Sequence, residues 1–372
     1  MSGIGQPGAG GRRIDLESTA SADDAATAAA PAPAAEPVDL PDPELMARDA
    51  AGALEGVVGF EHLRLSALVV DGPSVDDPTQ GWMGNCYLIA AMGAVAFAAP
   101  DAIRRMMREN EDGTVTVRFH DIGTDGAATP SEVTVDREIV TRRGPDGART
   151  PYYASSPGRD AGGRQEIWPA ILEKAYAQRA GGYEKIGMGG SSAAALEALT
   201  GKKAAYDKVG ERVGPSDLVQ AEIIAKFLGA KADIPLESLE KARRERGDAA
   251  WKWLREGVES GAAVVADTYA EPDVVLKGFL PIHAYAVIGA EERDGKRFVT
   301  LRNPAPYLAE LESNPAIAEE LRRDPTLGPL ASVLTGKGLS LKDLKYGTFT
   351  VPFEDFRRCF DHAYRVPIEG GR

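Results

Sequence analysis

Cys86 stands where a thiol can act as a nucleophile. It opens the run Cys86-Tyr87-Leu88-Ile89-Ala90-Ala91-Met92-Gly93-Ala94-Val95-Ala96-Phe97. A segment apolar nearly all round is expected to be a buried helix, beginning just after Gly84-Asn85. Unpaired N–H groups and the macrodipole at a helix start favour an anion, so the thiol pKa is expected to be lowered there. Gly81 and Gly84 flank the site and let backbone approach a substrate closely. A thiolate nucleophile needs a base, and the chain has four histidines, His62, His120, His283 and His362. His283 opens the strand-like His283-Ala284-Tyr285-Ala286-Val287-Ile288. Asn303 follows it by 20 positions, at the end of the next strand-like segment. Antiparallel pairing would bring the two side chains together, where an amide holds an imidazole in one tautomer. The Gln80 amide, with the N–H groups at the helix start, would make an oxyanion hole. Each residue taken singly also has a structural reading: Cys86 as a small buried hydrophobe, His283 as an edge histidine, Asn303 as a turn former before Pro304.

These residues need a scaffold that brings distant segments together. Helical spacing is read over Pro43–Gly56, Ile167–Ala180, Ala193–Leu199, Ser216–Leu228 and Leu239–Ser260. Alternation with β-branched residues predicts strands over Thr114–His120, Glu132–Asp136, Ala262–Ala266, His283–Ile288, Arg297–Arg302 and Thr348–Val351, with a short helix over Phe353–Phe360. A helical first half and a strand-rich second half imply an α+β fold. It would have a helical lobe, an antiparallel sheet lobe and an active cleft between them. The expected division is a disordered Ala/Pro/Gly-rich leader over residues 1–45, then a core over 46–372. The core would split into about 46–210, carrying Cys86, and about 211–372, carrying His283 and Asn303. The leader lacks aromatics and cannot bury enough surface to offset its ordering entropy. It could also be a removable leader or an export signal.

Composition narrows the class. The chain has 372 residues, a formal net charge of −13 and two cysteines, with a pI near 5.0. An acidic chain is a poor partner for nucleic acid. Two cysteines exclude a disulfide scaffold and a Cys-rich zinc site. No apolar run reaches the ~18–20 residues of a membrane span, and Met1–Arg13 lacks a signal-peptide apolar region. A cytoplasmic, reducing setting with no membrane partner is therefore expected.

The order Gln80, Cys86, His283, Asn303 is that of papain-like cysteine proteases, and the surrounding motifs resemble the calpain family within them. Gln80-Gly81-Trp82-Met83-Gly84-Asn85-Cys86-Tyr87-Leu88-Ile89-Ala90-Ala91 is similar to the family's QGxxGDCWLLAA. Trp168-Pro169-Ala170-Ile171-Leu172-Glu173-Lys174-Ala175-Tyr176-Ala177 resembles WxxLLEKAYAK. Gly181-Gly182-Tyr183-Glu184 with Met188-Gly189-Gly190-Ser191 resembles GSYE…GGS. His283-Ala284-Tyr285-Ala286-Val287 resembles HAYSV, Arg302-Asn303-Pro304 resembles RNPWG, and Gly347-Thr348-Phe349 with Phe353-Glu354-Asp355-Phe356 resembles the closing DGEF…FEDF. The matches are collinear from about Val70 to Val366.

The resemblance implies a papain-like fold and a cysteine endopeptidase acting on protein or peptide substrates. Cys86 would be nucleophile, His283 general base then acid, Asn303 its orienter and Gln80 the oxyanion-hole side chain. Gly189 and Gly190 would pair with an extended peptide. It also implies one possible calcium site, from the carbonyls of Val70 and Gly72 and the carboxylates of Asp77 and Glu173. The alternative there is that Glu173 pairs with a nearby Lys or Arg and Asp77 caps a turn. A second calcium is not expected, because Tyr346-Gly347-Thr348 lacks the family's acids, and no EF-hand loop occurs. Asn85, Tyr87, Ile282 and Ala305 depart from the pattern. Ile282 and Ala305 motivate an alternative, a catalytically inactive binding relative. A transglutaminase-like acyltransferase is a further alternative, since amines also attack thioesters.

Overall fold

The computed structural model describes residues 40–46, 57–62, 66–143, 147, 149–211, 236–270, 279–280, 282–305 and 347–370. The expected leader, most of the helix expected over Pro43–Gly56 and the one expected over Ser216–Leu228 lie outside these residues; Pro43–Met46 is not helical.

The buried helix is α1, Cys86–Ala98, and it starts where the sequence placed it. It is apolar all round because it is covered all round: helices α3, Trp168–Ala180, and α5, Ser192–Thr200, pack on it from one side, and two sheet strands from another. Pro100 ends it and opens α2, Pro100–Met106, a position where a missing N–H costs nothing. The short α4, Tyr183–Gly187, follows Gly181, whose left-handed backbone (φ +88°) stops α3. Ser191 caps α5, its Oγ accepting the Ala194 N–H at 3.2 Å.

Around these helices lie short strands. β1 (Val57–His62), β6 (Glu138–Arg143) and β7 (Arg149–Pro151) form one three-stranded sheet. β3 (Met107–Glu109), β4 (Val115–Ile122) and β5 (Ala128–Val135) form another, and β2 (Ser66–Ala67) pairs with β8 (Gln165–Glu166). The expectation of a helical first half is corrected accordingly. Several of these strands span two or three residues, too short for alternation to register in a sequence.

The second half builds one six-stranded antiparallel sheet. Its strands are β9 (Ala205–Lys208), β10 (Ala263–Thr268), β11 (Ala284–Arg293), β12 (Lys296–Arg302), β13 (Thr348–Pro352) and β14 (Phe360–Val366), in the order β13-β12-β11-β10-β14-β9. Asp294-Gly295, both at positive φ, turn the β11–β12 hairpin, as tight two-residue turns require. That turn sets the register as far as Gly289 opposite Thr300, and an irregularity between Val287 and Gly289 then shifts it by one, so that Val287 faces Leu301 and Ala286 faces Arg302.

β10 divides two cores by simple alternation. Ala263 and Val265, with Ala284 and Ala286 of β11, pack with α1 and α5. Val264 and Ala266, with Tyr285 and Val287, face a second cluster. That cluster holds Trp251 and Leu254 of the long amphipathic helix α6, Leu236–Glu259, and aromatics from α7, Phe353–Cys359. Among the described residues no single helix is long and apolar enough to cross a membrane.

Candidate active site

Packing α1 against β10 and β11 sets the first residue of the helix against the first residues of the strand. The backbone N–H groups of Ala284, Tyr87 and Cys86 lie near the Cys86 thiol and favour its anion. Burial nevertheless pushes the thiol above its ordinary value, and these donors, opposed in turn by the negative charge of Asp267, do not reverse that. The expected lowering at a helix start is thus corrected: the dipole is present, but desolvation of an anion outweighs it. Cys359 is buried in α7 and belongs to the second core.

His283 immediately precedes Ala284. Its backbone is pinned on both sides by Thr268: the His283 N–H donates to Thr268 Oγ1 at 2.9 Å, and the Thr268 N–H donates to the His283 carbonyl at 2.9 Å. Its ring sits edge-on to Tyr285, and its Nε2 lies 2.9 Å from Asn303 Oδ1. Burial pulls the imidazole down to about 4, while the bond to Asn303 opposes that shift. The ring is therefore neutral at pH 7. Because an amide oxygen only accepts, the proton is on Nε2 and the Nδ1 lone pair is left free to take a proton. Asn303 Oδ1 also accepts the Ala305 N–H at 2.9 Å, and the Asn303 N–H donates to Gly347 O at 2.6 Å, so the amide is held from several sides.

Gln80 is buried, and its backbone N–H donates to Pro304 O at 2.7 Å, tying it to the segment that carries Asn303. Its side-chain Nε2 donates to Met83 O at 2.7 Å, so one amide hydrogen is engaged and one remains; Oε1 has no partner among the described residues. Gly189 closes on the nucleophile's strand of chain: its N–H donates to Gly84 O at 2.9 Å, and the Gly84 N–H donates to Gly187 O at 2.8 Å. Gly189 has φ +92° and looks onto open space, whereas a side chain at Gly190 would collide with the Tyr87 ring. Cys86, His283, Asn303, Gln80 and the Gly189 segment thus gather around the start of α1.

The four residues implied for calcium do not form a cage. Both oxygens of Asp77 are engaged, accepting the Ser74 N–H at 2.6 Å, the Ser74 hydroxyl at 2.9 Å and the Trp168 indole N–H at 3.1 Å. That is a closed turn rather than an open ligand. Glu173 accepts the Asn85 amide at 2.6 Å and the Ala154 N–H at 2.9 Å. Burial pushes it up to about 8, against both of those bonds. Gly72 faces the Arg104 guanidinium, which would sit 2.6 Å from any Cβ there. The Val70 N–H donates to Glu166 at 2.7 Å. No group of three or more His, Cys, Asp or Glu side chains able to hold a metal occurs among the described residues.

A protein cation stands close to this loop instead. The Arg302 guanidinium, at the end of β12, donates to Val75 O at 3.3 Å and Asp76 O at 3.1 Å, and lies 3.4 Å from the Asp76 carboxylate. Gly347 must be glycine beneath it, since a Cβ would fall 1.6 Å from an Arg302 nitrogen and the backbone has φ +66°. In the sequence Arg302 stands only as part of the Arg302-Asn303-Pro304 motif, with nothing local to mark this contact. Asp267 was also missed, because the expected strand stopped one residue short of it. Its signal was an acid closing an otherwise apolar strand.

Comparison with known proteins shows the family. The family model described as calpain family cysteine protease matches residues 60–364. Similar proteins include calpain clp-1 of Caenorhabditis elegans, 24% identical over 342 residues, covering 86% of this chain and 36% of that protein. Calpain-8 of Mus musculus is 26% identical over 302 residues, covering 78% and 35%. The calpain-1 catalytic subunit of Macaca fascicularis is 26% identical over 307 residues, covering 81% and 36%. The chain thus spans about a third of the length of these relatives. With the family model covering most of its length, the chain belongs to the calpain family of cysteine proteases.

Proposed function

We propose that the chain is a cysteine endopeptidase in which Cys86, His283 and Asn303 form a catalytic triad between a helical lobe and a sheet lobe. The observation that carries this reading is the 2.9 Å contact of His283 Nε2 with Asn303 Oδ1, on the residue next to Ala284, whose backbone N–H favours the Cys86 anion.

The resting pair is a neutral thiol and a neutral imidazole. As Sγ attacks a peptide carbonyl carbon, its proton passes to His283 Nδ1. The developing oxyanion takes hydrogen bonds from the Cys86 N–H and the remaining Gln80 amide hydrogen. The imidazolium, stabilised through Nε2–H by Asn303, then protonates the departing amine, leaving a thioester on Cys86. Water attacks that thioester while His283 Nδ1 takes its proton, releasing the acid and restoring the thiol. No step passes through calcium, because Asp77 and Glu173 spend their oxygens on protein donors.

An inactive binding relative is the second reading, favoured by the raised thiol pKa. Casein proteolysis by wild type and by Cys86→Ala separates the two. Cleavage lost in the variant supports the peptidase, and equal, negligible cleavage by both supports the binding relative.

A further inference from the structure

Asp267 is a half-buried carboxylate near the nucleophile that the mechanism above does not use. On β10 it follows Ala263 and Val265 on the face that packs against α1 and α5, at the point where the strand runs past the helices. Its register partners are Ala284 of β11, whose backbone N–H favours the Cys86 anion, and His362 of β14. Its charge is felt at the thiol. One oxygen accepts the Ser192 hydroxyl at 2.7 Å, and Ser192 opens α5 directly after the Gly189-Gly190-Ser191 segment. The second oxygen has no hydrogen-bond partner among the described residues.

The surroundings suit a long cationic side chain. Gly189 presents open space beside Gly84, two residues before the nucleophile. Met188, next to it, and Ile282, next to His283, are 75% and 74% exposed, apolar surface that the fold leaves in water. A lysine or arginine packs its aliphatic stem on such surface while its head seeks an anion. An aliphatic side chain set against Asp267 would instead desolvate a carboxylate with nothing in return.

We propose that Asp267 is a specificity-determining residue, its carboxylate receiving the ammonium or guanidinium of a Lys or Arg side chain on the acyl side of the scissile bond. The inference rests on the reading that peptides bind along Gly189 toward Cys86, and deepens it by naming the substrate class. The groups facing Asp267 are Cys86 from α1, Ser192 from α5, and Asp361, His362 and Tyr364 from β14. Burial raises the carboxyl to about 6, so the preference is strongest above that pH.

The test uses full-length Cys86→Ala protein, so that it does not depend on turnover. Two extended peptides are compared by calorimetry at pH 7.5, identical except for Arg or Leu second from the scissile position on its acyl side. The Arg peptide is expected to bind at least about 10-fold tighter, as a partly desolvated charge pair allows. Asp267→Asn in that background, with Asp267→Ser as a second variant should the first melt early, is expected to bring the ratio to about 1. Equal binding of the two peptides, failure of the Arg peptide to bind, or a ratio unchanged by both substitutions overturns the proposal. Peptide hydrolysis by the wild type reports separately on the peptidase reading, so a failed preference with intact cleavage sinks only the inference.

Discussion

The imidazole of His283 and the side-chain amide of Asn303 meet at 2.9 Å, Nε2 to Oδ1, and this one contact fixes the protonation geometry of the site. It places the ring proton away from the thiol and leaves Nδ1 as the base. Asn303→Ala should therefore lower kcat by about 10²-fold, within the range of a general acid–base contribution, with a smaller change in KM. Steady-state kinetics on a peptide substrate check this; a change confined to KM contradicts the orienting role.

The pH profile follows from the same ring. His283 must be unprotonated to take the thiol proton, and its pKa is lowered from 6.5 to about 4 by burial. Activity on a peptide without basic residues should persist as pH falls through 6.5 and decline only near pH 4. An acid limb at 6.5 or above would show that the ring is solvated or paired with a thiolate in solution.

The fold was legible where a segment's own pattern decides its structure. α1, α3, α5, and strands β10 to β13 carry periods strong enough to read, and the motif residues bracket the site. What was not legible depends on burial by distant parts of the chain. Cys86 sits at a helix start, as the sequence suggested, yet burial in the folded chain moves its pKa upward. Glu173 falls where a ligand would, yet Asn85, 88 positions away, claims one oxygen. Asp267 becomes notable only once β10 is set beside Ala284 and Ser192.

Calcium should be dispensable. Proteolysis in excess chelator is expected to equal that in millimolar calcium, and the melting temperature should not move on adding the ion. Activity that appears only with calcium, with a saturable shift in melting, would mean that the turn at Asp77 opens and Glu173 ionises to bind it.

Glu173 should leave a mark on stability. Its folded pKa, about 8, lies above the ordinary 4.5, so the folded state holds a proton that the unfolded state has lost. This contribution is fully present below 4.5 and is lost as pH rises through about 8. Glu173→Gln removes the titration, so its melting temperature should fall less than the wild type's between pH 6 and 9. Parallel decreases would place Glu173 in solvent or in an ion pair.

Arg302 should act as a clamp rather than a charge. Arg302 reaches the Val75 and Asp76 carbonyls from two different nitrogens of one rigid plane, where a lysine offers a single nitrogen. Arg302→Lys is expected to lower the melting temperature by a few degrees and to slow hydrolysis. Unchanged melting would show that the contact contributes nothing.

The most direct measurement is the mapping of a thiol-directed epoxysuccinyl probe on the wild-type chain. The thiol beside Ala284 and His283 is expected to react, giving an adduct on Cys86 that appears in step with loss of proteolysis, while Cys359 in the second core stays unmodified. Labelling of Cys359 alone, with Cys86 untouched, would contradict the central claim.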